Sequence, residues 1–165
     1  MLQYRDAKRS DLDKIVEIYN STVASRMVTA DTDPVTTESR IKWFDEHSSD
    51  RYPLWIIEDE DNQVVGWLSF QAFYGRPAYA ATAEISIYLD EKYRGKGYGK
   101  AILAYAMAQS PALGIKTLLG FIFAHNDASI KLFRYFGFED WATLPDIAVL
   151  DNEERSLKIL GKRIA

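Results

Sequence analysis

The residues best suited to chemistry lie in the middle of the chain. Glu84 heads the run Glu84-Ile85-Ser86-Ile87-Tyr88-Leu89. An extended strand sends Glu84, Ser86 and Tyr88 to one face and Ile85, Ile87 and Leu89 to the other. A carboxylate on so apolar a strand is open to a raised pKa through lost hydration, which moves it toward the range of a working general base. The bland alternative is a solvated strand-end glutamate in an ion pair, with Arg76 as its partner. Shortly after comes Tyr93-Arg94-Gly95-Lys96-Gly97-Tyr98-Gly99-Lys100. Alternating glycines let the backbone turn successive N–H groups outward, and these groups lie where a helix would open, a ready anion site. Arg94, Lys96 and Lys100 add local positive charge. Two familiar phosphate motifs fail here. The nucleotide P-loop and the dinucleotide fingerprint each need a glycine at the position held by Lys100. An ordinary strand–helix turn with solvated charges would read similarly.

Composition narrows the setting. The chain has 165 residues, 47% hydrophobic and 27% charged, as in a soluble globular domain. One domain over residues 1–165 is the simplest organisation, with no repeat or Gly/Ser linker. There is no cysteine, so disulfides, thiolate metal sites and a cysteine nucleophile are excluded. With two histidines, His47 and His125, no metal site is expected. The net charge of −4 argues against a nucleic-acid platform. The longest apolar run, Ala101–Ala108, is too short to span a bilayer. The charged start MLQYRDAKRSDLDK lacks an apolar h-region, so a cytoplasmic location is the expectation.

The elements that must position these residues follow from periodicity. Ser10 with Asp11 and Asp13 predicts a helix start, and Leu12, Ile15, Val16 and Tyr19 mark one helical face. A second helix is expected near Thr36 and Glu38, with Ile41 and Phe44 on one side. Pro53–Glu58 and Val64–Phe73 flank the turn-like Asp59–Gln63 and read as a hairpin. Ala83–Leu89 is a strand, and Ala101–Gln109 a helical stretch. Lys116–Ala124 is a buried strand, and Asn126–Phe136 a helix stopped by Gly137. Phe138–Leu144 and Arg155–Ile164 close the chain as strands. Helices come first, then a meander, then strand–helix–strand, a mixed α/β architecture. Trp43, Phe44, Trp55 and Trp67 are expected in the core or at an interface.

Arg94-x-x-Gly97-x-Gly99 opening a helix resembles the acyl-CoA pyrophosphate loop of the GCN5-related N-acetyltransferase (GNAT) superfamily. Asn126-x-x-Ser129, followed by Leu132 and Gly137-Phe138, resembles its second signature. The order of elements matches along nearly the whole chain. Within the superfamily, Arg76-Pro77-Ala78-Tyr79-Ala80-Ala81-Thr82-Ala83-Glu84 resembles the phosphinothricin acetyltransferase branch, as does Leu144-Pro145 with Leu157 to Gly161. The resemblance implies a single domain with a central, mostly antiparallel sheet of about seven strands flanked by helices.

It also implies acetyl-CoA as co-substrate, bound by Ile87, Tyr88 and Leu89, by Arg94, Gly95, Lys96, Gly97, Tyr98, Gly99 and Lys100, and by Asn126 and Ser129. Glu84 falls on the position of the family's proposed base. Arg76, Phe73 and Tyr79 would form the acceptor side, an arginine fork suiting a carboxylate or phosphinate. The acceptor is then a small amino acid or analogue of the phosphinothricin, methionine sulfoximine or methionine sulfone type. A protein N-terminus, a polyamine, or a non-catalytic acyl-CoA-binding module are the alternatives. Family members often pair as homodimers. In one respect the chain departs from the pattern. Where relatives place a tyrosine or histidine as a candidate acid after the leucine, this chain has Phe133. Tyr135, two helical residues on, faces the other way. A thiolate with a pKa near ~8.5 costs only about 2 kcal/mol to release at neutral pH, so no dedicated acid is expected.

Overall fold

In the computed structural model, which describes residues 1–165, seven strands form one sheet in the order β1-β2-β3-β4-β5-β7-β6. The strands are β1 (Gln3–Asp6), β2 (Leu54–Glu58), β3 (Val64–Ala72), β4 (Thr82–Leu89), β5 (Thr117–Phe123), β6 (Glu139–Leu150) and β7 (Glu153–Arg163). The helices are α1 (Leu12–Val23), α2 (Ile41–Asp45), α3 (Tyr98–Gln109) and α4 (Asp127–Tyr135). Every strand pairing is antiparallel except β4 with β5. No helix is long and apolar enough to cross a membrane.

The sheet is covered on both faces, which is why β2 reads as an unbroken apolar run instead of alternating. On one face Trp55, Ile57, Leu68, Phe70 and Ile85 pack with Ile102, Leu103 and Ala106 of α3 and Ile130 and Phe133 of α4. On the other, Leu54, Ile56 and Trp67 pack with Ile15 and Ile18 of α1. That second core is smaller, and polar side chains of β4 share its face.

Three expectations need correction. The chain opens with a strand, not a helix. Gln3–Asp6 is only four residues and half exposed, and pairing with β2 rather than any local pattern makes it β1. The first helix does not start at Ser10. Ser10 lies inside a 3-10 turn, Arg9–Asp11, and the Asp11 carboxylate accepts the Lys8 N–H at 2.7 Å. Finally, β6 runs past Leu144 to Leu150, with a register irregularity between Leu144 and Ala148 around Pro145. A proline and a charge are tolerated because β6 is an edge strand. Asp151 and Asn152, both at positive φ, turn it into β7.

Candidate active site

The pairing of β4 with β5 is brief. It links Thr82 to Thr117, Ala83 to Leu118 and Glu84 to Leu119, and then the strands part. On its other side β4 stays paired with β3 along its whole length. The Asp90 N–H bonds the Val65 carbonyl at 2.8 Å, which sets the antiparallel alternation. Even-numbered residues of β4 therefore bond to β3, and Ile85, Ile87 and Leu89 turn their backbone groups toward β5. At Ile87 and Leu89 no β5 residue faces them. The Leu89 carbonyl accepts a long bond from the Arg94 guanidinium, 3.4 Å. The result is a wedge-shaped gap edged by free backbone N–H groups.

The glycine-rich turn stands at the end of that gap. Gly95 and Gly97 have φ of +75° and +78°, and a Cβ at either would meet nothing within 4 Å. These glycines are required by backbone conformation, not by crowding. Gly97 occupies the position just before α3, so the unpaired N–H groups of the first helical turn point out beside it. Lys96 Nζ lies 5.4 Å from the centre of the Tyr93 ring, and Lys100 Nζ 4.2 Å from that of Tyr135. Arg94, Lys96 and Lys100 are all exposed.

Asn126 is buried at the start of α4. Its Oδ1 accepts the Ser129 N–H at 3.2 Å, and its Nδ2 donates to the Met27 carbonyl at 3.1 Å. His125 Nε2 bonds the Arg26 carbonyl at 2.8 Å, a structural tie to the segment after α1. Phe133 packs in the core, while Tyr135 is 66% exposed, so the two do point apart.

On the α1 face, Glu84, Ser86 and Tyr88 share one wall of a pocket of about 180 Å³. Glu84 makes no ion pair, and burial alone pushes its carboxyl above the ordinary glutamate value. The partnership with Arg76 does not form. Arg76 is exposed in the loop before Pro77, outside the pocket lining, and makes no side-chain bond. Phe73 and Tyr79 lie edge to face with ring centres 5.7 Å apart. The Phe73 N–H bonds the Thr82 carbonyl, so this aromatic pair adjoins the Glu84 end of β4 without lining the pocket.

The pocket also holds residues that sequence reasoning did not single out for the site: Tyr19, Arg40, Trp43 and Gln71. The helical periodicity of α1 gave a signal for Tyr19, on its apolar face. Nothing in the local sequence marks Arg40. Trp43 and Trp67, expected as core residues, double as pocket walls, and Trp67 stacks on Tyr88 with ring centres 4.6 Å apart. Tyr88 donates to the Val28 carbonyl at 3.3 Å, and burial raises its phenol above the ordinary value.

A half-buried carboxylate with no ion-pair partner can take a proton from an amine. A gap of free backbone donors leading to a turn of outward N–H groups suits a long, phosphate-bearing ligand. The chain is similar to known proteins along nearly its whole length. Residues 15–138 match the Acetyltransferase (GNAT) family. The chain is 53% identical over 161 residues to the "Putative phosphinothricin acetyltransferase YwnH" of Bacillus subtilis, covering 98% of each. It is 32% identical to an L-methionine sulfoximine/L-methionine sulfone acetyltransferase of Pseudomonas paraeruginosa, over 87% of this chain and 83% of that one. It superposes with a TM-score of 0.90 on a GNAT superfamily phosphinothricin acetyltransferase from Sinorhizobium meliloti solved in complex with AcCoA. That relative is 30% identical, over 98% of this chain and 88% of that one. Sequence and fold thus agree on one conclusion: the chain belongs to the GNAT family and is an N-acetyltransferase.

Proposed function

We propose that the protein moves the acetyl group of acetyl-CoA to the amino group of a small amino acid or analogue, of the phosphinothricin, methionine sulfoximine or methionine sulfone type. The observation that carries this reading is the position of Glu84. It lies at the last β4–β5 pair, with its carboxyl in the pocket and the strand gap beginning just beyond it. The Pseudomonas paraeruginosa relative is an L-methionine sulfoximine/L-methionine sulfone acetyltransferase, which supports this acceptor class.

In this reading pantetheine lies in the gap along Ile87–Leu89, and the pyrophosphate rests on Gly95–Gly99 with Arg94, Lys96 and Lys100 around it. An ammonium with a pKa near ~8 must lose its proton before it can attack. Glu84, its pKa raised by burial, accepts that proton directly or through one water. The neutral amine adds to the thioester carbonyl. A free N–H of Ile87 or Leu89 stabilises the oxyanion. The adduct's nitrogen loses its second proton to water, the tetrahedral adduct collapses, the C–S bond breaks and the thiolate leaves. Phe133 carries no proton to give it, and solvent protonates it. Asn126 and Ser129 border the cofactor from the start of α4. Arg76, Phe73 and Tyr79 form an outer rim on the acceptor side.

Pairing of protomers belongs to the same reading. Trp141, Ile147 and Val149 are exposed apolar side chains on edge strand β6, and sedimentation reads out whether the protein pairs. A cytoplasmic location, where acetyl-CoA is supplied, also belongs to it.

The test is release of free CoA thiol from acetyl-CoA with a panel of phosphinothricin, methionine sulfone, a polyamine and a peptide amine. Turnover with the amino-acid analogues is expected. Turnover with the peptide or polyamine alone overturns the acceptor class. No release with any amine overturns the transferase reading.

A further inference from the structure

Of the residues that line the Glu84 pocket, two carry charge: Glu84 itself and Arg40. The rest are apolar, aromatic or neutral polar. Arg40 sits just before α2, and its side chain is 27% exposed. Its guanidinium makes one hydrogen bond, from Nη2 to Asp31 Oδ2 at 2.8 Å. A guanidinium has five N–H donors, so four of them have no protein acceptor. Arg5 and Arg134 differ, each gripping a carboxylate through two nitrogens.

Arg40 is also held in place. Its guanidinium carbon lies 4.8 Å from the centre of the Tyr19 ring, and the Tyr19 hydroxyl bonds both Asp31 and Thr29. Asp31 thus fixes one edge of the fork and Tyr19 supports its face, while the other edge stays unspent beside the pocket. A planar fork oriented before its ligand arrives is the arrangement that recognises a pair of anionic oxygens most cheaply.

The geometry points to Arg40 as the anchor for the acceptor's anionic group, and so to a zwitterionic acceptor that carries an amine and a carboxylate or phosphinate. The inference rests on the acetyl-transfer reading and sharpens it. The amine is directed to Glu84 and the anion to Arg40, with the side chain against Val35, Trp43 and Tyr88. A polyamine would bring cations to a guanidinium. An amine without an anionic group would leave the fork unpaired. Arg76, exposed and outside the lining, is not the inner anchor.

The test compares L-methionine sulfone with its carboxamide, which differ only in the anionic group. Each is assayed by CoA release with wild type, Arg40→Met, Arg40→Lys and Arg76→Met. Binding is read in parallel through tryptophan fluorescence, since Trp43 and Trp67 wall the pocket. Arg40→Met is expected to raise KM for the acid about ten- to hundredfold and to change kcat and the acetyl-CoA KM little. Its effect on the amide should stay under about threefold, and Arg40→Lys should recover part of the loss. Equal losses for acid and amide overturn the anchor, as does a preference for the acid that survives Arg40→Met or is erased by Arg76→Met instead. Absence of CoA release with every amine overturns acetyl transfer. The fluorescence titration still decides the anchor in that case, because it needs no turnover.

Discussion

Glu84 on β4 and Leu119 on β5 are the last paired residues before the two strands separate. A carboxyl group at the apex of such a gap meets the pocket on one side and the free strand edge on the other.

Replacing that carboxyl tests its role. Glu84→Gln keeps the shape and removes the proton acceptor, and kcat should fall about 10²–10⁴-fold. The acidic limb of the rate–pH profile should flatten. Stability should move the opposite way. Burial raises the folded-state pKa above the unfolded value, so the folded protein holds this proton more tightly. The associated stabilisation is complete below the ordinary glutamate pKa and is lost as pH rises through the folded value. Wild type should therefore lose Tm relative to Glu84→Gln as pH climbs toward neutral. Equal Tm profiles, with turnover near wild type, would remove Glu84 from both roles.

Gly97 sits at φ +78° with open space around its Cβ position. Gly97→Val forces a branched residue into the left-handed region at a cost of about 1–3 kcal/mol and puts methyl groups where a phosphate approaches. Acetyl-CoA affinity in calorimetry should drop more than about tenfold. Gly97→Asn tolerates the backbone better and should cost less stability. Unchanged acetyl-CoA binding in Gly97→Val would take this turn out of cofactor recognition.

Tyr135 is exposed and lies under Lys100, on the far side of α4 from Phe133. Tyr135→Phe should alter kcat less than about tenfold. A much larger fall, with acetyl-CoA binding intact, would make its phenol the acid that protonates the leaving thiolate.

Gly120 of β5 faces the Phe133 ring, and a Cβ there would come within 2.7 Å of it. Gly120→Ala should destabilise by about 1–3 kcal/mol through overpacking. Adding Phe133→Leu should recover part of that in chemical denaturation. No recovery would place the strain elsewhere.

His47 gives a second pH effect. It donates from Nδ1 to the Trp43 carbonyl at 2.9 Å and accepts the hydroxyl of fully buried Ser69 at Nε2, 2.7 Å. Burial lowers its pKa below 6.5. A depressed histidine contributes stability that is present above the unfolded value and lost as pH falls below it. Wild type should therefore lose Tm below about pH 6.5, and His47→Gln should lose less. Parallel Tm curves would show that this ring does not titrate on unfolding.

Parts of the site were legible because they follow from local rules. The alternation from Glu84 to Tyr88 sets the face of each residue, and the positive φ of Gly95 and Gly97 is what a glycine-rich turn advertises. Asn126 reads as a helix cap from its own neighbourhood. Other parts depend on chain folding and leave no local mark. Gln3–Asp6 becomes a strand only because β2 offers an edge. Arg40 looks like any solvated helix-end arginine in Glu38-Ser39-Arg40-Ile41, and only α1 and the Thr29–Asp31 segment bring it to the pocket. Arg76 has the more suggestive sequence context, yet its loop leaves it in solvent.

The short seam between β4 and β5 has a mechanical consequence. Strands β1–β4 and β5–β7 are halves of one sheet joined by three residue pairs, with helices on either side. On the proposed reading acetyl-CoA lies in the gap as a missing strand would, completing the hydrogen bonding that β4 and β5 leave open beyond Glu84. Amides of Ile87 and Leu89 should then exchange quickly in the free protein and slow sharply when the cofactor is present.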